Sequence, residues 1–331
     1  MTNQYKHVYV KDTATVSGPY ESKGPLKNYF DRSYDDLYNG EDTWEKAEVK
    51  LMQDSIDILL EKANRSIHDV DLMVAGDLLN QITSSCYAAK KYALPFLGIY
   101  SACATSIEGI IIASTFIEGK QAKNVIASTA SHNMCSEKQF RNPTEYGAPK
   151  PMTATFTATG GASILLTDEK TNIRVESTTI GKVTDMDQKD PLHMGAVMAP
   201  AAADTIYQHL SNLKRNPSYY DLILTGDLGT YGKEILLDYM KKEYNMDLSD
   251  NYNDCGTLLY DLENQKEVLA GGSGPVCSAL VNYGYVMDML RKKEIKRVLL
   301  VATGALFSPT FAFQKQPILS TAHAVGLEVV E

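Results

Sequence analysis

Several features that would declare a chemistry at once are missing from this sequence. Its five cysteines (Cys86, Cys103, Cys135, Cys255 and Cys277) are scattered without a CxxC spacing, which argues against a structural zinc or a disulfide framework and points to a reducing compartment. Six histidines (His7, His68, His132, His193, His209 and His323) show no HExxH or similar pairing, so the sequence predicts no metal ligands and no resident cofactor. Cations are outnumbered, with 32 Lys and Arg against 41 Asp and Glu and a net charge of -9. There is no basic stripe, and a nucleic-acid binder indifferent to sequence would need clustered Lys and Arg, so that class is excluded. A long uncharged apolar run is also lacking, since the best candidate, Ala93 to Ile117, is broken by Glu108 and several polar residues. Crossing a bilayer takes about 20 apolar residues, and MTNQYKHVYVKD at the start carries no apolar core of signal-peptide type. What remains, 44% hydrophobic and 22% charged residues over 331 positions, is a folded globular protein with a large core, one big domain or two fused ones.

The chain repeats itself. Asp54 to Leu78 can be laid over Asp204 to Leu228 at a constant offset of 150 without a gap, matching Asp54/Asp204, Ile56/Ile206, Leu60/Leu210, Arg65/Arg215, Asp71/Asp221, Gly76/Gly226 and Asp77/Asp227. Each copy has helical apolar spacing that runs into a short apolar strand, LMVAG or LILTG. A second pair follows at an offset of 174 or 173: Cys103 heads an apolar run to Phe116 and the strand NVIAST, and Cys277 heads ALVNYGYVMDML and the strand RVLLVATG. Two halves of strand-helix-strand type are therefore expected.

Along the chain, residues 1–45 read as irregular, with Gly18-Pro19 and Gly24-Pro25 as turn signals. A helix is predicted over Trp44 to Asn64, another segment to about Tyr92, then the strand PFLGIYS and a long helix from Cys103 to about Glu118, where Gly119 can take the left-handed C-terminal conformation. His132 to Gly161 reads as a polar functional loop, and the second half begins near Ala199 and ends in the strand VGLEVVE.

In PFLGIYSACATS a strand turns through Ser101-Ala102 into Cys103 at a helix start. A thiol there faces the positive end of the helix dipole, where free N–H groups stabilise a thiolate, the geometry of an activated nucleophile. The alternative is a small buried hydrophobe.

This duplicated pattern with ACATS at the head of the central helix resembles the thiolase and β-ketoacyl synthase superfamily, in which the matching cysteine carries the acyl group. The resemblance implies an α/β, thiolase-like fold: two duplicated α/β halves, residues 1–185 and 186–331, in five α-β-α-β-α layers. It also implies a His, or a His and an Asn, in the loops that here read GDLGTYGKE (Gly226 to Glu234) and AGGSGP (Ala270 to Pro275), and neither loop holds one. Such groups each contribute about two to four powers of ten in rate, so the cradle is kept without the machinery. Within the superfamily, the stretches DDLYNGEDTWEKAE, AGDLLNQI, SHNMCSEKQFRNPTEYG, DPLHMGAVMAPAAADT and VATGALFSPT resemble the stage V sporulation protein AD family of spore-forming bacteria, over nearly the whole chain. That resemblance implies a non-catalytic protein binding dipicolinic acid (pyridine-2,6-dicarboxylate), active in its uptake into the forespore and its release on germination. It further implies a peripheral place at the spore inner membrane beside other SpoVA-operon proteins, and a homodimer paired through NVIAST.

A flat aromatic dianion needs an apolar slot and donors at both carboxylates. The candidate ligand-binding residues are Cys103, Thr105, His132, Arg141, Asp227, Ser273 and His323. Helix-start amides at Cys103 can hold one carboxylate. Arg141 can take the other with two parallel hydrogen bonds, or else pair with Glu137 or Glu145 on the surface. His132 donates to the ligand or caps its loop. Thr105, Asp227 and Ser273 lie in the matching active-site loops, and Asp227, which would repel a dianion, holds a loop, positions a water or binds calcium travelling with the ligand. His323, placed in a late loop over the pocket, is the residue able to replace the absent imidazole. Two rivals stand beside this reading: a working acyltransferase or ketoacyl synthase using Cys103 with His323 or His132, and a scaffold whose cavity has collapsed.

Overall fold

The repeat folds into the same topology twice. The computed structural model describes residues 1–140 and 150–330. The first copy comprises β1 (Tyr9–Ser17), α1 (Trp44–Ala63), β2 (Leu72–Gly76), α2 (Thr83–Tyr92), β3 (Phe96–Gly98), α3 (Thr105–Glu118), β4 (Asn124–Ser131), α4 (Asn133–Phe140) and β5 (Gly160–Thr167). The second comprises β6 (Ile173–Ile180), α5 (Met194–Asn212), β7 (Leu222–Thr225), α6 (Gly229–Tyr244), β8 (Tyr252–Asp254), α7 (Pro275–Leu280), β9 (Arg297–Leu306) and β10 (Leu319–Val329). Helix α7 continues through a π-helical stretch, Val281–Val286, into a last turn at Met287–Arg291.

The strand orders are β3-β2-β4-β5-β1 and β8-β7-β9-β10-β6, and the two sheets join through the one residue pair Tyr9–Arg174. In each, the second strand runs parallel to both neighbours and the remaining pairings are antiparallel. Each strand thus has a counterpart: β1 with β6, β2 with β7, β3 with β8, β4 with β9 and β5 with β10. The second sheet takes its first strand from residues ahead of 186, where the sequence divides the halves.

Three apolar clusters hold three helix layers to these sheets. On the outer face of the first sheet, Met52, Ile56 and Leu59 of α1 pack with Met73, Ile126 and Leu165. On the outer face of the second, Met198, Ile206, Leu236 and Met240 of α5 and α6 pack with Ile223, Leu299 and Val301. Between the sheets, Ile107 and Ile110 of α3 and Val276 and Leu280 of α7 share one cluster with Val74, Val125, Leu224 and Val298. Burying each such side chain contributes about 1.5 to 3 kcal/mol, and the result is the five-layer stack the resemblance implies. Where α3 meets α7, the hydroxyls of Ser106 and Ser278 lie 3.0 Å apart.

Local chemistry sets the helix ends. Thr43 accepts the Lys46 N–H at 3.3 Å to start α1, and Asn64 closes it in the left-handed region at φ 51°. Gly119, expected to close α3 that way, stays right-handed at φ −74°. The left-handed residue is Lys120, φ 57°. Residues 1–45 are not wholly irregular either, because β1 closes the first sheet beside β5, where that sheet meets the second. Its inward Thr13, Thr15 and Ser17 are buried and hydrogen-bonded, Thr13 donating to the Tyr283 carbonyl at 2.8 Å, so hydropathy gave no sign of it. The polar stretch after NVIAST likewise opens with a helix, α4. NVIAST itself lies in β4, flanked on both edges by β2 and β5, so it has no free edge for a second copy, contrary to expectation. The end strand of that sheet away from the second one is β3.

Candidate functional site

Between β3 and α3 the chain makes a tight turn, Ala102–Ala104, that carries Cys103 just ahead of the helix. Ala102 sits in the left-handed region at φ 50°, a conformation that costs an L-residue about 1 to 2 kcal/mol. The turn is locked from inside. Thr105 donates to the Ala102 carbonyl at 2.7 Å and accepts the Ser101 N–H at 3.1 Å, so its hydroxyl is consumed by the turn. Gly304 of β9 presses on the same place: a Cβ there would stand 2.3 Å from the Ser101 carbonyl oxygen.

Cys103 is half-buried, and its sulfur lies 3.9 Å from the Ser273 hydroxyl. Ser273 donates to Asp227 at 3.0 Å, the Gly274 N–H donates to the same carboxylate oxygen at 3.1 Å, and Thr303 donates to the other at 2.7 Å. Cys103, Ser273 and Asp227 are therefore brought together, on loops from both halves. Burial and then the neighbouring Asp227 carboxylate push the Cys103 thiol well above the usual thiol range, and the donors at Gly274 and Ser273 oppose this only in part. The dipole of α3 does not decide the matter: with a buried carboxylate beside the sulfur, the protonated thiol is favoured. Asp227 is itself raised by burial, with Thr303 and the other donors pulling it back.

The two candidate histidines are bonded to groups other than the sulfur. His323 belongs to strand β10, paired between Ala302 and Ile180, and not to a loop over the pocket. Its Nδ1 accepts the Gly181 N–H at 3.2 Å, which leaves Nε2 to donate to the Ser101 hydroxyl, also at 3.2 Å. Burial lowers its pKa to about 4, so the ring is neutral. His132 is buried, with Nδ1 accepting the Met134 N–H at 3.2 Å and Nε2 donating to the Leu37 carbonyl at 2.8 Å; it ties the amino-terminal segment to α4. Burial pushes its pKa down as well. Among the described residues no imidazole is hydrogen-bonded to Cys103. Arg141 lies outside the described residues.

Beside the turn opens a cleft of about 430 Å³, walled by Leu78–Ile82, Gly98–Tyr100, Gln139, Phe140 and Phe307–Pro309. Its floor is strained, with Gln81 and Ile82 both left-handed at φ 57° and 48°. Gln139 pins it, accepting the Asn80 N–H at 2.9 Å and donating to the Leu78 carbonyl at 2.6 Å. Tyr100 connects cleft and turn, its hydroxyl pushed up to about 12 by burial and by the nearness of Cys103. Sequence reasoning missed Ser101, Thr303 and Tyr100. Only Thr303 left a signal, as the hydroxyl in VATG at the end of the strand that follows the second repeat.

Comparison with known proteins agrees with this architecture. The chain is similar in fold to 3-oxoacyl-[acyl-carrier-protein] synthase III from Aquifex aeolicus VF5 (TM-score 0.59, 11% identity, 97% of this chain and 99% of that one). It is similar also to a variant of OleA from Xanthomonas campestris (TM-score 0.60, 13% identity, 98% and 99%) and to OleA of the same organism with cerulenin bound (TM-score 0.60, 12% identity, 97% and 97%). At such identity the likeness shows the fold, which is thiolase-like. In sequence, the chain is 44% identical to stage V sporulation protein AD of Bacillus subtilis (strain 168) over 321 residues, 97% of this chain and 94% of that protein. The profile of the family described as Stage V sporulation protein AD (SpoVAD) matches residues 2–328, and the chain belongs to that family.

Proposed function

We propose that this protein binds dipicolinic acid without transforming it, and takes part in moving it into the forespore and out again on germination. The observation that carries the non-catalytic reading is what meets the Cys103 sulfur: the hydroxyl of Ser273 and the buried carboxylate of Asp227, with no imidazole among the described residues bonded to it. Acyl transfer needs a thiolate and a group to polarise the thioester, and this neighbourhood favours neither. The fold and family supply the rest of the support. A cleft of about 430 Å³ with aromatic and aliphatic walls suits a small planar molecule. One carboxylate of the ligand is met by N–H groups of the Cys103 turn, and Arg141 is the cation the sequence offers the other. Calcium entering with the ligand would relieve its repulsion by Asp227.

Titration of the purified protein with dipicolinate, with and without calcium, alongside intact-mass measurement after exposure to acyl-CoA, tests this. Saturable binding and no adduct is the expected pair of results. An acyl adduct on Cys103 would establish the acyltransferase instead, and a lack of saturable binding would leave only a scaffold. Arg141→Ala should weaken dipicolinate binding by about 1.5 to 3 kcal/mol, the loss expected for a charged hydrogen bond.

No helix among the described residues is long and apolar enough to cross a membrane. The same reading has the protein peripheral at the spore inner membrane, held by SpoVA-operon partners, as a homodimer. Pairing falls to the sheet edge at β3, where Leu97 is exposed.

A further inference from the structure

Asp254 ends strand β8 and is fully buried. One of its carboxylate oxygens accepts from the Thr225 hydroxyl at 2.7 Å and the Leu228 N–H at 2.9 Å, and the other from the Gly229 N–H at 3.0 Å. These are the residues on either side of Asp227. The carboxylate grips the backbone of the loop whose centre points at Ser273 and Cys103. Contact is close: a Cβ built on Gly256 would stand 3.0 Å from the Asp254 carboxylate and 3.4 Å from the Asp227 Cα.

The first half shows what happens without this grip. Thr225 pairs with Asp254 across β7 and β8, as Ala75 pairs with Gly98 across β2 and β3. Gly98, the counterpart of Asp254, has no side chain, and a Cβ there would stand 2.3 Å from Ile82. With no carboxylate beneath it, Asp77 holds its own loop. It accepts the Leu79 N–H at 2.9 Å, two residues on, and the Ser85 N–H and hydroxyl at 2.7 and 2.6 Å. In the second half the N–H two residues on, that of Gly229, goes to Asp254, and Asp227 is released to bond Ser273, Gly274 and Thr303.

We propose that Asp254 is a positioning residue, whose grip on Leu228 and Gly229 holds the Asp227 carboxylate against Cys103 and so keeps that thiol unreactive. This concerns the thiol and the loop and is independent of which ligand the cleft receives.

Alkylation of the folded full-length protein by iodoacetamide between about pH 6 and 9, followed peptide by peptide in the mass spectrometer, tests it. The exposed Cys86 serves as reference and the buried Cys135, which neither Asp227 nor Asp254 influences, as reporter of general loosening. Asp227→Asn should speed Cys103 alkylation about tenfold, the effect of a one-unit fall in thiol pKa. Asp254→Asn should speed it in the same direction with Cys135 unchanged, and the double variant should be no faster than Asp227→Asn alone, since the two act through one group. Thr225→Val, which removes one of the three bonds to Asp254, should give a smaller increase and decides the matter if Asp254→Asn does not fold. An unchanged Cys103 rate in the folded variants, a rise shared by Cys135, or additive effects in the double variant would overturn the proposal.

Discussion

Asp77 and Asp227 occupy the same place in the two halves, 150 residues apart at the end of matching strands, and do opposite things. Asp77 folds back on its own loop and shapes the cleft floor. Asp227 reaches across to Ser273 and Thr303 and stands beside a thiol. The helix heads differ in the same way. Cys103 is half-buried at the site, whereas Cys277, its counterpart, is sealed in the core with its thiol toward the Gly226 carbonyl at 3.8 Å. Duplication kept the backbone twice and built the polar cluster around one copy of the cysteine. The other copy supplies its loops.

The matched arginines test how far the halves have diverged in stability. Arg215 is nearly buried and donates to Glu176 at 2.9 Å and to the Tyr220 hydroxyl at 2.7 Å, with its guanidinium 4.0 Å from the Tyr219 ring. Burial pushes the Glu176 carboxyl up, but the Arg215 bonds outweigh it and hold it below the usual range. Arg65 also pairs with a glutamate, Glu169, in a contact open to solvent. Arg215→Ala should therefore cost about 3 to 5 kcal/mol in urea unfolding, because it strands a buried charge, and Arg65→Ala about 1 kcal/mol or less. Equal costs would mean that the two halves are interchangeable in their polar anchors, against the comparison.

The duplication could be read from the sequence because the outer helices bury one face each, which leaves a strict apolar rhythm from Leu51 to Leu59 and from Ile206 to Leu210, and because the strands they feed are buried on both faces and read as unbroken apolar runs. The first strand of each half escaped that test. β1 and β6 bury threonines and serines that bond to the elements packed on them, Thr13 with the Tyr283 carbonyl and Thr179 with His209 of α5 among them, so alternation of apolar residues is absent where burial is complete. Cys103, Asp227 and Ser273 were legible as a set, since loops after matching strands must meet at one end of a duplicated fold. Where side chains point was harder to read. His323 bonds the Gly181 N–H and the Ser101 hydroxyl, His132 bonds backbone groups of Met134 and Leu37, the second of the two roles open to it, and nothing in the spacing of a lone histidine tells a ligand from a brace. The weight of Asp254 was invisible because two of its three partners are backbone N–H groups, which every sequence has.

The contact between halves has its own titrating group. Glu21, in the amino-terminal segment, is fully buried, accepts from the Tyr260 hydroxyl of the second half and from the Thr159 N–H at 3.0 Å, and leaves its second oxygen without a partner. Burial raises its pKa to about 7, with the Tyr260 bond opposing. A carboxyl whose folded pKa lies above its unfolded one of 4.5 favours folding below about pH 4.5, and that advantage is lost as pH rises through 7. Glu21→Gln should accordingly be more stable than the parent at pH 8, by about 1 to 3 kcal/mol, with the gap closing toward pH 5. A gap that does not change with pH would place the titration elsewhere.

The smallest effect is the strictest test of symmetry. Asp71 accepts the Lys123 and Asn124 N–H groups at 2.6 and 2.9 Å, and Asp221 accepts those of Lys296 and Arg297 at 2.7 and 2.8 Å. Each carboxylate thus fastens the start of the strand next to its own, β4 or β9, and each lies at the surface, where freed N–H groups regain water. Asp71→Ala and Asp221→Ala should cost about 1 kcal/mol each, alike within about 0.5 kcal/mol and additive in the double variant, because the sites share no partner. If Asp221→Ala proved costlier by more than that margin, the second half would lean harder on its strand anchors than the first, as expected if the grip of Asp254 on the neighbouring loop depends on how firmly β7 and β9 are joined.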